Sequence, residues 1–287
     1  MVLGLLLHAA LMLPAPLPSD PGRVVKSVQI GSAQREVLFL IPSKFSRTKK
    51  MPFVVLLHGF TGSGPIIDYM SGFSALAEKE GFVLAAPTGI GNPAGWNCDI
   101  LNLGKPGEDD FAFISGLIDR AGTELNIDRK RVFVAGHSNG AMMSNALAGR
   151  FSTKIAAIGA VAGVIGVGPL GKEKMIAMPT SPVSVLHIHA KDDRMVAYDR
   201  TGSAFVKGIN APEAAAWWAK ANGISSAPST ITEPWGSRII YKSPRSEVQL
   251  ITLIQGGHDW PRNTTQSPGS IHATTEIWNF FKRNPKR

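Results

Sequence analysis

The stretch RVFVAGHSNGAMMSNAL, beginning at Arg131, constrains this chain more than any other. Val132 to Ala135 is a short apolar run, as expected of a strand buried on both faces. Ala141, Met142, Met143, Ala146 and Leu147 then recur at the spacing of a helix face. Only Gly136 to Gly140 lies between, so a strand must pass into a helix without a loop. A turn this sharp needs neighbours without bulk, which glycine supplies at both ends. Ser138 would project its hydroxyl above the strand end, next to the free N–H groups of the helix start.

Gly136 to Gly140 also matches the pattern G-x-S-x-G, and the strand before it and helix after it are the context a nucleophilic serine requires. Serine is a weak nucleophile until a base takes its proton, and that base needs a carboxylate to orient it. His258, in the glycine-flanked loop QGGHDWP after the strand EVQLITLI, is the expected base. His272 falls within the pattern of the last helix, and His187 and His189 within a strand. The acid should follow a strand between serine and histidine, and HIHAKDD offers Asp192 and Asp193. Spacing does not choose between them; whichever is not used reads as a solvated loop residue. The oxyanion of an acyl-transfer intermediate needs two donors. The N–H of Asn139, after the serine, is one. The N–H of Phe60, in the loop after the strand FVVLL, is the other, with Gly59 allowing close approach. His58 reads as a buried brace for that loop.

The strand–helix alternation continues through most of the chain. Val24–Ile30 and Glu36–Ile41 are predicted strands joined by a turn, and FVLAAP, VSVLHIHA, RIIYKS and EVQLITLI are others. GFSALAEKEG, the segment from Asp109 to Leu125, NAPEAAAWWAKANG and SIHATTEIWNFFKR are predicted helices, with aspartate or asparagine caps at two of their starts. This order implies an α/β fold with a mainly parallel central sheet, helices on both faces, and one domain over residues 23–287. Residues 1–22 hold an apolar stretch, Val2 to Leu13, that is too short to span a bilayer. It fits a secretory signal or a disordered start, so a secreted or periplasmic location is expected over a cytoplasmic one. No other segment reads as a membrane span.

The formal net charge is +9, but no nucleic-acid-binding module accompanies it, and no nucleic-acid partner is expected. Cys98 is the single cysteine, so no intramolecular disulfide can form. HIHAKDD places Lys191 where a binuclear metal motif would carry an acid, so no metal is expected, and no cofactor.

With these residues in place, the chain resembles the α/β-hydrolases that include polyhydroxybutyrate depolymerases and feruloyl esterases. The resemblance rests on LLHGFTG, GWN, DDFAFISGLID, VFVAGHSNGAMMSNALA, AKDDRMVAY and GGHDWP, in order from Leu56 to Pro261. In that family the catalytic Asp is followed at +3 by Val and at +5 by Tyr, so Val196 and Tyr198 select Asp193. The resemblance further implies that Trp96 and Trp260 contact substrate. It implies a serine esterase acting on small or oligomeric esters, polysaccharide-linked or polyester. An amidase or peptidase with the same triad, and a non-catalytic surface binder on a hydrolase scaffold, are the alternatives. The chain departs from the family at Ile224, where relatives carry a cysteine, and at Asp259 and Arg262 on the rim of the histidine loop.

Overall fold

The computed structural model describes residues 14–199, 206–262 and 271–287. The apolar run read as an export signal, Val2 to Leu13, lies outside them. Among the described residues no helix is long and apolar enough to cross a membrane.

Two N-terminal strands, β1 (Gly22–Ile30) and β2 (Ala33–Ile41), form a hairpin around Gly31, whose φ of 57° lies in the left-handed region. Then follow β3 (Met51–Leu57), α1 (Gly64–Ser71), α2 (Phe73–Glu80) and β4 (Val83–Pro87). A two-residue hairpin, β5 (Ile90–Gly91) with β6 (Ala94–Gly95), sits in the long loop before α3 (Asp110–Glu124). The central unit is β7 (Ile127–His137), α4 (Asn139–Arg150) and β8 (Ala157–Val161). A second small hairpin, β9 (Gly166–Val167) with β10 (Lys174–Met175), precedes β11 (Ser184–Ala190) and α5 (Ala211–Ala221). The chain ends with β12 (Ser229–Glu233), β13 (Gly236–Lys242), β14 (Glu247–Leu253) and α6 (Ala273–Arg283).

Ten strands form one sheet in the order β1-β2-β4-β3-β7-β8-β11-β14-β13-β12. The middle six are parallel, and two antiparallel strands flank each side. The apolar run of β3 has a direct reason. Phe53, Val55 and Leu57 point into one core, while Val54 and Leu56 point into a second on the opposite face. Alternate residues of a strand face opposite sides, so a strand covered on both sides must be apolar throughout. The first core contains buried residues of α3, α4 and α5, the second those of α1, α2 and α6.

Helix ends follow local chemistry. Asp109 caps α3 by accepting the Ala112 N–H at 2.9 Å, and Asn210 caps α5 through the Glu213 N–H at 2.7 Å. Gly81 closes α2 with φ 80°. Ahead of β1, Leu17 is buried in the first core, and its N–H is donated to Glu124 at 2.7 Å.

Candidate active site

Strand β7 delivers Ser138 to the carboxyl edge of the sheet. Its φ of 53° and ψ of −118° belong to a sparsely populated region that a non-glycine residue occupies only when its surroundings enforce it. The two glycines of the pattern show why no other residue fits. A Cβ on Gly136 would lie 2.3 Å from the Gly140 carbonyl oxygen, and one on Gly140 would lie 2.3 Å from the carbonyl oxygen of Leu57. The turn is locked by the Ser138 N–H, which is donated to the Val161 carbonyl at 2.9 Å. Ser138 is also the residue at the cap position of α4, so the free N–H groups of a buried helix start beside its hydroxyl.

Three side chains from distant parts of the sequence meet there. His258 Nε2 is 2.8 Å from Ser138 Oγ across 120 residues of chain. Its Nδ1 is 2.8 Å from Asp193 Oδ2 across 65 residues. Asp193 is fully packed: Oδ1 accepts the N–H groups of Met195 and Val196 at 2.8 and 2.9 Å. Burial alone would raise its pKa, but the bonds from His189, His258 and the Val196 N–H outweigh it and hold the carboxyl well below the usual range. The imidazole of His258 keeps 19% of its side-chain surface open to solvent.

The second aspartate, Asp192, is an exposed loop residue as expected, and it has a structural part as well. Asp192 Oδ1 accepts the N–H groups of Gly256 and Gly257 at 2.9 and 2.8 Å and so pins the loop that carries His258. His137, inside the pattern itself, was not singled out in the sequence. Its Nε2 lies 3.2 Å from the His258 carbonyl oxygen, and the two rings are 4.9 Å apart. Burial pushes His137 down to about 4, so its ring is neutral and donates to that carbonyl. The only legible signal for it was position, next to the serine.

The Gly59–Phe60 loop lies against the serine: a Cβ on Gly59 would sit 3.4 Å from Ser138 Cβ. His58 braces it as expected. It is 1% exposed, its Nδ1 lies 2.7 Å from the Gly59 carbonyl, and its Nε2 accepts the Gly89 N–H at 2.8 Å. Burial holds it near 4 and therefore neutral. The Phe60 ring is 40% exposed and covers Gly95, where a Cβ would meet its Cδ2 at 3.0 Å.

The expected substrate contacts of both tryptophans are corrected. Trp96 is 0% exposed and Trp260 is 3% exposed. Trp96 donates its Nε1–H to the His58 carbonyl at 2.9 Å, and its backbone N–H to Asn139 Oδ1 at 2.7 Å. Asn139 Nδ2 returns a bond to the Trp96 carbonyl at 3.2 Å. Trp96 thus ties the loop before Phe60 to the residue after the serine. Trp260 donates Nε1–H to Thr274 Oγ1 at 2.9 Å and packs edge-on against Phe73. Both are indole rings whose N–H finds a partner inside the fold, the ordinary requirement for burying tryptophan. Asp259 and Arg262 are exposed, as read for the rim. Cys98 is buried, and burial pushes its thiol up to about 11. Among the described residues no group of three or more His, Cys, Asp or Glu side chains could hold a metal ion.

Solved structures share this architecture. An acetyl xylan esterase from Aspergillus awamori superposes with a TM-score of 0.64 at 17% identity, covering 90% of this chain and 99% of that one. A protein described as native pOPH gives 0.64 at 17% identity, covering 95% of this chain and 90% of that one. These confirm an α/β-hydrolase fold. Among curated relatives, a putative esterase, NocK, of Nocardia uniformis is 26% identical over 78% of this chain and 70% of its own length. Feruloyl esterase B of Piromyces equi is 27% identical over 78% of this chain and 42% of its own length. The bifunctional acetylxylan esterase/xylanase XynS20E of Neocallimastix patriciarum is 27% identical over 58% of this chain. The match spans only 23% of that enzyme, so this chain corresponds to a part of some of its relatives. The family pattern described as esterase PHB depolymerase matches residues 36–193, more than half of the sequence, and the chain belongs to that family.

Proposed function

We propose that this chain is a serine carboxylic-ester hydrolase that works through an acyl-enzyme. The observation that carries the reading is the continuous line Ser138 Oγ–His258 Nε2 and His258 Nδ1–Asp193 Oδ2, with both contacts at 2.8 Å. Ser138 attacks the ester carbonyl while His258 takes its proton. Asp193, kept ionised by its donors, holds the imidazole with Nε2 facing the serine. The oxyanion is received by the N–H groups of Asn139 and Phe60, the first at the positive end of α4. His258 then protonates the departing alcohol and activates the water that clears the acyl group.

The relatives named for acetylxylan and ferulic acid suggest a small or aromatic acyl group esterified to a carbohydrate alcohol. Short polyester units are equally compatible with a family described by PHB depolymerases. Replacing Ser138 by Ala should leave the circular dichroism spectrum intact and reduce hydrolysis of p-nitrophenyl acetate by about 10,000-fold or more. Wild-type protein should be labelled by a fluorophosphonate probe and the variant should not. Retained turnover in Ser138→Ala would overturn the reading. A panel of methyl ferulate, hydroxybutyrate oligomers and acetylated xylan ranks the acyl groups.

A further inference from the structure

Asp193 has a second imidazole on it. His189 Nε2 lies 3.2 Å from Asp193 Oδ2, the same oxygen that faces His258, and 3.0 Å from the Val196 carbonyl. Both neighbours can only accept, because a carbonyl and an ionised carboxylate carry no proton. The proton of a neutral His189 must therefore sit on Nε2. Its other nitrogen, Nδ1, is 3.2 Å from His187 Nε2. With Nδ1 a lone pair, His187 is the donor of that contact. His187 is buried and pushed down to about 3, so its ring is neutral and can carry its proton on Nε2.

The two histidines are residues i and i+2 of β11, so they share one face of the strand, and their rings stack at 5.3 Å. Their other neighbours fix the arrangement. Tyr198, on the segment after β11, places its ring 5.7 Å from His189 and its hydroxyl 2.8 Å from Thr252 of β14. His137 of β7 and His258 are further titratable groups near Asp193. No lysine or arginine among the described residues forms an ion pair with Asp193.

We infer that His189 is a positioning residue for the triad. Its Nε2–H, bonded to the Val196 carbonyl at 3.0 Å, is shared with Asp193 Oδ2 at 3.2 Å, and His187 holds the ring in that tautomer. The inference rests on the hydrolase reading for its kinetic consequence, though not for the contact itself. Asp193 then meets two backbone N–H groups on Oδ1, and on Oδ2 the His258 imidazole together with the shared N–H of His189. Such a carboxylate cannot rotate away from His258 when the imidazole becomes charged, and its negative charge is shared between two rings. Removing the His189 donor would loosen the carboxylate and leave more of its charge facing His258. The imidazolium would be held more strongly, so the base would be freed only at higher pH.

The test compares His189→Leu, His189→Gln and wild type on p-nitrophenyl acetate from pH 5 to 9. Glutamine reaches as far as Nε2 and can donate there; leucine cannot. For His189→Leu we expect kcat to fall about tenfold with KM within about twofold, the size expected for losing one hydrogen bond to a charged group. The acidic limb of kcat/KM should move up by about half a pH unit or more. His189→Gln should recover most of the rate and return the limb to its place. A folded leucine variant with an unmoved limb, or a glutamine variant no better than leucine, would sink the proposal. If neither variant folds, ring ¹⁵N shifts of the wild-type protein at pH 7.5 decide. They should show His189 protonated on Nε2 alone, and an Nδ1–H tautomer would refute the contact. A wild type inert toward all esters would overturn the hydrolase reading instead, and the ¹⁵N measurement would still score His189.

Discussion

Asp192 and Asp193 both act on the loop that carries His258, through different atoms. Asp193 holds the imidazole, whereas Asp192 holds the two backbone N–H groups just before it. Their removal should therefore differ in size and kind. Asp193→Asn leaves the shape but presents an amide to Nδ1, which favours the wrong tautomer, and kcat should fall about 10,000-fold. Asp192→Ala releases the loop without touching the ring's partner. A loss of about three- to tenfold in kcat is expected, in line with one or two exposed hydrogen bonds. Stopped-flow or plate assays on p-nitrophenyl butyrate separate the two, and equal losses would contradict the division of labour. The neighbouring pair was visible in the sequence as DD, but only as one acid and one spare. What the spare does depends on Gly256 and Gly257, more than sixty residues away, turning their N–H groups toward it. The tryptophans failed for a related reason. A tryptophan beside a catalytic motif looks the same in sequence whether it lines a cleft or fastens two loops beneath it.

At the scale of elements, the long segments were legible and the short ones were not. The buried strands announce themselves by continuous apolar runs, and α3 by its capping aspartate and helical spacing. The short helix α1 did not: GPIIDYMS is eight residues long, starts on glycine and proline, and is cut from α2 by Gly72 at φ 72°. Strand β12 was missed because STITE is exposed along its whole length and has no buried face to produce alternation. The strand–turn–helix around Ser138 was legible because its constraint is steric and local. Gly136→Ala should accordingly cost about 3 kcal/mol or more, since the new methyl would run into the Gly140 carbonyl and Ser144 Oγ. A thermal melt within a few degrees of wild type would contradict this. The link between loops gives a second prediction at this scale. Trp96→Phe keeps an aromatic ring but removes the N–H donated to the His58 carbonyl. It should lower kcat by about three- to tenfold while KM for aryl and alkyl esters stays nearly constant, because the ring does not reach the cleft. A rise in KM confined to aromatic esters would restore Trp96 as a substrate contact.

For the molecule as a whole, acid stability draws on the buried histidines packed around the candidate site. His58 and His137 are held near 4 and His187 near 3 by burial, each from an ordinary value of 6.5. A base depressed in the folded state adds nothing above its unfolded value. As pH falls below 6.5 the unfolded chain takes up a proton that the native ring refuses, so stability declines until the native pKa is reached. Asp193 acts lower. Its depressed carboxyl contributes stability above the ordinary aspartate value near 3.9, and that contribution is lost as pH falls through the native value. The histidine window comes first, between about pH 6.5 and 4, and each ring can contribute up to about 1.4 kcal/mol per pH unit within it. Urea midpoints should therefore be flat from pH 8 to 7 and fall steeply from pH 6 to 4.5, with net proton uptake on unfolding at pH 5 from the three rings together. His187→Leu, which removes one such ring without touching Ser138, His258 or Asp193, should flatten that slope by about a third of the histidine contribution. A wild-type midpoint that holds level from pH 6.5 to 4.5 would mean that these rings already exchange protons with solvent in the folded chain, and the neutral braces around the proposed triad would have to be abandoned.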